Sequence, residues 1–205
     1  MGSAPLSHWP TRRSHDDRRS ALSVGSLYFR APASPDQRAD RIGLIAGTPA
    51  RLRAALSGLD EAGLETPYRA GGWTIRQVAH HHPDSHLSAV FRFRLALTEE
   101  SPTITPYDEA RWARLADARS APVETSVRLL EALHERWVLL LRAMASADFA
   151  RTLVHPQAPE PMSLDRMLAL YAWHGLITWR RSSRRGGASP QAEPGPSGNP
   201  GAMLG

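Results

Sequence analysis

Four segments of the chain carry apolar residues at the three- and four-residue spacing of an amphipathic helix. The first runs from Ser34 to Leu59 and opens with Ser34-Pro35, a favourable pair for the cap and first position of a helix. Thr48-Pro49 lies in its middle and should kink or split it, because proline has no N–H to give to the preceding turn.

The second segment begins after Thr74, a suitable N-cap, and continues to about Glu99, where the loop at 101–106 closes it. Its inward positions are spaced by three, four and seven residues: Ile75, Val78, His82, Ala89, Phe93 and Leu97. One of these inward positions is a histidine, so this face of the helix holds a possible metal ligand as well as apolar side chains.

The third segment follows Pro122 and runs from Val123 to Ala145. Its broad apolar face consists of Val127, Leu130, Leu133, Trp137, Leu140, Leu141 and Met144. The fourth opens at Ser163, with Asp165 placed favourably for the positive end of the helix dipole. It buries Leu164, Met167, Tyr171 and His174 on one face.

Helices of this kind must pack on one another to bury their stripes, and no segment has a convincing strand pattern. The sequence therefore predicts an all-α four-helix bundle. The link at 101–121 is long enough for a crossover between the second and third helices, which argues against a simple up-down-up-down order.

Composition predicts a helical bundle at 21–180 between two disordered tails. The first tail, 1–20, is polar and arginine-rich, and the second, 181–205, is dense in proline and glycine. The N-terminus has no apolar signal region, and no stretch approaches the roughly 18 apolar residues of a membrane span. There is no cysteine, so disulfides and thiolate sites are excluded and redox chemistry does not indicate the compartment. The cytoplasm is the default expectation.

The net charge of +5 invites a nucleic-acid role, but its distribution argues against one. Residues 1–20 hold four arginines and two aspartates, and residues 175–205 hold four arginines and one glutamate. These two ends contribute +2 and +3, so the middle of the chain is neutral. We expect no nucleic-acid or membrane partner, but a small-molecule substrate and a homodimer.

Five of the nine histidines fall in two of the predicted helices: His80, His81, His82, His86 and His174. A catalytic metal site needs about three such ligands and an open position, and bundles assemble it from facing helices. His81 lies at the margin of the second stripe, whereas His82 and His86 have the spacing of a two-ligand face. Spacing alone leaves both choices open, and any one of these histidines could instead bond to a carbonyl or to Asp84.

Several motifs resemble those of the YfiT-like metal-dependent hydrolases of the DinB/YfiT superfamily, in order and in spacing, from about Ser34 to Gly175. They are Thr66-Pro-Tyr-Arg-Ala-Gly-Gly-Trp-Thr-Ile-Arg-Gln-Val-Ala-His-His81 with Asp84-Ser-His86, Arg92-Phe-Arg-Leu-Ala-Leu-Thr-Glu-Glu100, Pro106-Tyr-Asp-Glu109, Leu130-Glu-Ala-Leu-His134 with Arg136-Trp137, and Tyr171-Ala-Trp-His-Gly175. The resemblance implies a DinB-like bundle in which three histidines bind a divalent metal. We expect zinc first and nickel second, although imidazole ligands suit iron and copper as well.

The resemblance implies His81 and His174 as the first two ligands and assigns the third to position 178, which is Thr178 here. The metal site is therefore expected to be incomplete and to bind metal more weakly than an intact relative. His82 and Pro83 replace residues that are usually apolar in the family, and Pro83 should disturb the helix at His82. His82 or His86 is an alternative source of the third ligand.

The activity that the resemblance implies is metal-dependent hydrolysis or, as in some relatives, transfer of a thiol to a substrate. No catalytic residue is assigned, although Asp84 and Glu109 are the nearest carboxylates for proton transfer or for orienting a ligand. The alternative is a non-catalytic bundle. The likeness stops after Gly175 inside the fourth helix, so the residues from about Leu176 are expected to be translated out of the ancestral frame.

Overall fold

A computed structural model describes the backbone of residues 32–182 and the side chains of residues 32–175. The elements in this range are α1 (Pro35–Ala46), α2 (Thr48–Leu56), α3 (Glu61–Leu64), α4 (Ile75–Thr98), α5 (Glu109–Trp112), α6 (Ala116–Ser120), α7 (Val123–Ala143), α8 (Ser146–Phe149), β1 (Thr152–Leu153), β2 (Met162–Ser163) and α9 (Leu164–Ser182). The predicted tail at 1–20, the first residues of the predicted bundle at 21–31 and nearly all of the predicted tail at 181–205 lie outside the described residues.

The four-helix bundle predicted from the apolar stripes is confirmed. The first predicted helix is split at Gly47 into α1 and α2, as Thr48-Pro49 indicated. The side chain of Ser34 caps α1 by accepting from the N–H of Gln37, whose own side chain bonds back to the Ser34 N–H. The α1–α2 pair packs against α7 and α9, while α4 packs against the same two helices.

The helix α4 continues through Pro83 without interruption, so the expected disturbance at His82 does not break it. Pro83 has no N–H to give to the carbonyl of Ala79, which removes one bond from the helix. Both His82 and Pro83 are buried in the bundle, and that packing holds the helical path despite the lost bond. A capping box of Thr74 with Gln77 fixes the start of α4.

The crossover between α4 and α7 contains two short helices, α5 and α6. The expectation of no strand needs one correction, because β1 and β2 form a two-residue antiparallel ladder just before α9. Thr152 pairs with Ser163 and Leu153 with Met162, so the chain reverses tightly between α8 and α9.

Asp165 has a larger role than the dipole position predicted for it. Its carboxylate accepts two hydrogen bonds from the guanidinium of Arg38, at 2.9 and 2.8 Å, and one from the N–H of Ala33, at 2.9 Å. Both side chains of the ion pair are largely buried, so the start of α9 is fastened to α1. Within the described part of the chain, no helix is long and apolar enough to cross a membrane.

Candidate metal centre

Five buried histidines from three helices meet at the centre of the bundle. They are His81, His82 and His86 of α4, His134 of α7 and His174 of α9. Each is at most 9% exposed, and His86 is fully buried. The fourth histidine of α4, His80, points elsewhere: its ring nitrogens lie 2.7 Å from Ser126 Oγ and 3.1 Å from the carbonyl oxygen of Ala121.

Three of these histidines can share one ion. His82, His86 and His174 each offer a ring nitrogen, and the three nitrogens lie within 4.8 Å of one another. Nε2 of His86 is 3.3 Å from Nδ1 of His174. Two nitrogens on one tetrahedral zinc lie about 3.3–3.4 Å apart, since each bond is about 2.0–2.1 Å. The His86–His174 pair therefore already has the spacing that a shared ion requires.

The tautomer of His86 is set by its contact with His134. Nδ1 of His134 lies 2.8 Å from the carbonyl oxygen of Ile45, which can only accept, so this nitrogen carries the proton. Nε2 of a neutral His134 must then accept, and it lies 2.8 Å from Nδ1 of His86. Nδ1 of His86 consequently donates, which leaves the lone pair of His86 on Nε2, the nitrogen beside His174.

His82 is oriented in the same way by the backbone of its own helix. Its Nδ1 lies 3.3 Å from the carbonyl oxygen of Val78 and donates to it. The lone pair of neutral His82 is therefore on Nε2. The rings of His82 and His86 stack one turn apart with centroids 5.8 Å apart, and the His82 ring is 5.3 Å from that of His174.

The histidine that the resemblance favours, His81, lies at the edge of this group. Its ring is 5.6 Å from the His174 ring and 5.0 Å from the Trp73 ring, edge to face in both cases. The rings of His81 and His174 are therefore neighbours, whereas the sharing of one ion by their nitrogens stays a prediction. Thr178 lies in α9, but its side chain is outside the described part, so the ligand set implied by the resemblance stays a prediction.

The histidines of the group are neutral at pH 7. Burial lowers the pKa of His81 to about 3, with the neighbouring His82 adding to the effect. Burial also lowers the pKa of His82 and that of His134 to about 4. For His86 and His174 burial and the neighbouring histidines lower the pKa well below the usual value. A neutral imidazole is the form that binds a metal, so no proton has to be displaced at neutral pH.

The two carboxylates named from the sequence, Asp84 and Glu109, are partly buried. Burial raises the pKa of Asp84 to about 6, with Asp117 adding to the rise. Burial raises the pKa of Glu109 to about 7, although the positive charge of Arg92 opposes it. Both can therefore exchange a proton near neutral pH, which is what proton transfer at a metal-bound substrate requires.

Sequence reasoning missed His134 as a member of the site. The signal was present, since His134 continues the buried face of α7 at four- and three-residue steps between Leu130 and Trp137. A face defined by apolar residues alone leaves His134 out, because histidine is not an apolar residue.

The chain is similar to proteins whose names refer to metal-dependent hydrolysis. A family model described as the DinB superfamily matches residues 44–176. A Bacillus subtilis protein named "Putative metal-dependent hydrolase YfiT" is 42% identical over 151 residues, 74% of this chain and 85% of that protein. A "Putative metal-dependent hydrolase" of Geobacillus thermodenitrificans is 46% identical over 149 residues, 72% of this chain and 84% of that protein.

A solved structure is similar to this chain in both sequence and fold. It is described as "YfiT from Bacillus subtilis is a probable metal-dependent hydrolase with an unusual four-helix bundle topology". It matches this fold with a TM-score of 0.74 at 42% sequence identity, over 76% of this chain and 91% of that chain.

Proposed function

The chain belongs to the DinB superfamily, as its sequence predicted, and we propose on this premise that it is a metal-dependent hydrolase with its ion at the centre of the bundle. The observation that carries the proposal is the convergence of His82, His86 and His174, whose nitrogens lie within 4.8 Å of one another. The names of its relatives support the same class of reaction.

The donor set fits a divalent metal of the zinc type. His82 and His86 direct Nε2 lone pairs toward the group, and both are neutral, so two imidazole ligands are preformed on one face of α4. His174 supplies the third from α9, and three imidazoles leave one position open. Zinc is the ion we propose first, with nickel second, because imidazole suits both. A metal held in this way supplies a polarised substrate oxygen and a bound water of lowered pKa.

The chain's own residues prepare the site in three ways. His134 holds the proton on Nδ1 of His86 and so keeps Nε2 available. Trp137 and Tyr171 pack against the His86 ring, with centroids 5.8 and 5.4 Å away, and exclude water from its inner side. Glu109 lies on the crossover with a pKa of about 7, which suits a group that takes a proton from water and returns it to a leaving group.

Metal analysis of the purified protein, followed by a zinc titration, tests the proposal. We expect one ion per chain and its loss in His174→Ala, because His174 belongs to both candidate ligand sets. The matched control is His80→Gln, which changes a histidine of α4 that points away from the group and should retain the ion. Absence of metal binding in the unmodified protein, or equal loss in the control, would defeat the proposal.

A second candidate is a bundle without catalysis, and it rests on Thr178. If the resemblance gives the true ligand set, this chain has two of its three ligands, and a two-histidine site binds metal weakly. Saturating zinc without any hydrolysis of ester or amide substrates would favour this alternative.

A further inference from the structure

A second group of polar side chains lies beside the histidines and is not used in holding the metal. We call it the polar cluster, and it consists of Ser85, Arg92, Tyr107, Glu109 and Tyr171. Ser85 and Arg92 come from α4, and Tyr171 lies on α9 one turn before His174. Tyr107 and Glu109 come from the crossover and are the half-buried members, so the cluster reaches from the surface to the bundle centre.

The members of the cluster face one another. Burial raises the pKa of Tyr107 and of Tyr171, and the nearby hydroxyl of Ser85 partly offsets the rise in both. The guanidinium of Arg92 acts electrostatically on both Glu109 and Tyr171. The cluster also adjoins the metal centre, because the ring of Tyr171 lies 5.4 Å from the ring of His86.

The cluster contains polar atoms without partners among the described residues. Ser85 Oγ, Tyr107 Oη, Glu109 Oε1 and Tyr171 Oη are all inaccessible to solvent, and none has a hydrogen bond of ordinary geometry within that part of the chain. The hydroxyl of Ser85 is close to both phenols and the guanidinium of Arg92 is close to the phenol of Tyr171, so these are the groups that would surround a ligand. Ser85 and Tyr171 are completely buried. A buried polar atom without a partner destabilises a folded protein, so three hydroxyls and a carboxyl oxygen together indicate a group that binds there.

The donors and the charge of the polar cluster indicate which class of ligand it binds. Three hydroxyls and a guanidinium are donors, and Glu109 is a donor as well when protonated. The cluster has one fixed positive charge, on Arg92, whose forked geometry matches two oxygens in one plane. A carboxylate matches this set better than a neutral amide, because both of its oxygens accept and it carries a negative charge, whereas the NH2 group of an amide would meet donors with a further donor.

We propose that the polar cluster binds the carboxylate of a small substrate and holds the bond to be hydrolysed at the histidine group. The inference rests on the proposed hydrolase function and adds a class of substrate to it, namely small carboxylic acids. Arg92 supplies the countercharge. The hydroxyls of Ser85, Tyr107 and Tyr171 donate to the two oxygens.

Binding of acetate to the full chain tests the proposal, with acetamide as its uncharged counterpart of nearly equal shape. The protein is first treated with a chelator so that acetate cannot bind through a metal, and binding is followed by chemical-shift titration. We expect saturable binding of acetate, and acetamide should bind at least about tenfold more weakly, because hydrogen bonds to a charged group are the stronger ones.

Two variants test whether acetate binds in the polar cluster. Tyr107→Phe and Tyr171→Phe each remove one donor hydroxyl and keep the ring, so each should weaken acetate about tenfold or more. Tyr68→Phe is the matched control, since Tyr68 lies outside the cluster, and it should bind acetate as the wild type does. Acetate that does not saturate, acetamide that binds equally well, or tyrosine variants that bind like the control would overturn the proposal.

Measuring both acetate and zinc binding distinguishes failure of the carboxylate proposal from failure of the proposed metal-dependent function. If zinc binds to the untreated protein but acetate does not bind to the chelated one, the carboxylate proposal fails while the metal centre stands. If acetate binds in the cluster but zinc does not bind to the histidines, the metal-dependent function fails instead.

Discussion

Nε2 of His134 lies 2.8 Å from Nδ1 of His86, and this contact holds the proton of His86 on Nδ1, so that the lone pair is on Nε2 beside His174. His134 can act in this way because the carbonyl oxygen of Ile45 holds the proton on its other nitrogen. A histidine of α7 thus prepares a ligand of α4 without itself belonging to the three-histidine group, an arrangement that raises ligand basicity at metal sites.

His134→Leu should weaken zinc binding by about 10–100-fold, the usual loss when the partner of a metal-bound histidine is removed. Leucine has no acceptor for the Nδ1–H of His86, so the ring is free to rotate and to exchange tautomers. His134→Gln is the comparison, because its side-chain oxygen can still accept, and it should bind zinc more tightly than His134→Leu. Competition with a chromophoric chelator gives the affinities. Equal affinities for both variants would show that the loss comes from packing rather than from orientation.

His82→Phe distinguishes the two candidate ligand sets. Phenylalanine keeps a ring in the stack with His86 but has no nitrogen, so zinc affinity should fall by at least about 100-fold, more than for a supporting residue. His81→Phe should have a smaller effect if the proposed set is correct. The Co²⁺ absorption spectrum of each variant reports the number of nitrogen ligands. The reverse order of effects would assign the ion to His81 and His174.

Thr178→His tests the ligand set that the resemblance implies, by adding a histidine rather than removing one. If His81 and His174 are ligands, the added imidazole supplies the missing third one and zinc affinity rises, as the sequence predicts. If His82, His86 and His174 hold the ion, the affinity should stay close to that of the wild type. A zinc titration of both proteins under one set of conditions decides the question.

The fold was predictable because each of the four helices has one apolar face. Packing the helices against one another buries all four faces. The stripe of α4, for example, places Val78, Ala89 and Phe93 inward, and all three are buried in the bundle. The two-residue ladder was not predictable, because Thr152-Leu153 and Met162-Ser163 are too short to show an alternating pattern.

The candidate site was predictable in part. Spacing placed His82, His86 and His174 on inward faces, and the structure brings these three together. Spacing could not decide between them and His81, because that choice depends on the rotation of α4 about its axis and on side-chain rotamers. Nor could it place Tyr107 and Glu109 beside α9, since the path of a crossover is set by tertiary packing rather than by local pattern.

Glu109→Gln should stabilise the chain more at pH 8 than at pH 5. Burial raises the pKa of Glu109 from 4.5 to about 7, so between these values the folded chain holds a proton that the unfolded chain has lost. The free energy of unfolding of the wild type therefore falls as the pH rises through this window. Glutamine resembles the neutral acid and avoids the loss.

Urea denaturation of metal-free protein at pH 5 and pH 8 measures the difference between the Glu109→Gln variant and the wild type at each pH. Comparing variant with wild type cancels the titration of the histidines. Glu100→Gln, at an exposed position, is the control and should show the same difference at both values of pH. A Glu109→Gln difference that does not change with pH would contradict the raised pKa.

Gly175→Ala should destabilise the chain by about 1–3 kcal/mol, the usual cost of overpacking. A Cβ at this position would lie 2.5 Å from Oγ1 of Thr48, which is buried and donates to the carbonyl of Leu44. Gly43→Ala is the matched control, because a Cβ there meets nothing within 4 Å and alanine favours the helix. In the double variant with Thr48→Ala the penalty of Gly175→Ala should shrink. A penalty that is unchanged in the double variant would mean that the clash is not with Thr48.

The last prediction concerns the gene rather than the folded chain. The match to the DinB superfamily ends at residue 176, whereas α9 continues to Ser182, so the likeness is lost inside a helix. We predict that a single base is missing here, which would account for the break for one allowed choice of codons. If Leu176-Ile-Thr-Trp-Arg180 is encoded CTC-ATC-ACG-TGG-CGN, skipping two bases gives CAT-CAC-GTG-GCG, which reads His-His-Val-Ala. Restoring the base would place the second histidine at position 178, where the resemblance assigns the third ligand. Resequencing the locus tests the prediction: codons for Leu176 to Trp179 that do not spell His-His-Val in the shifted frame would show that the chain after Gly175 is a genuine extension.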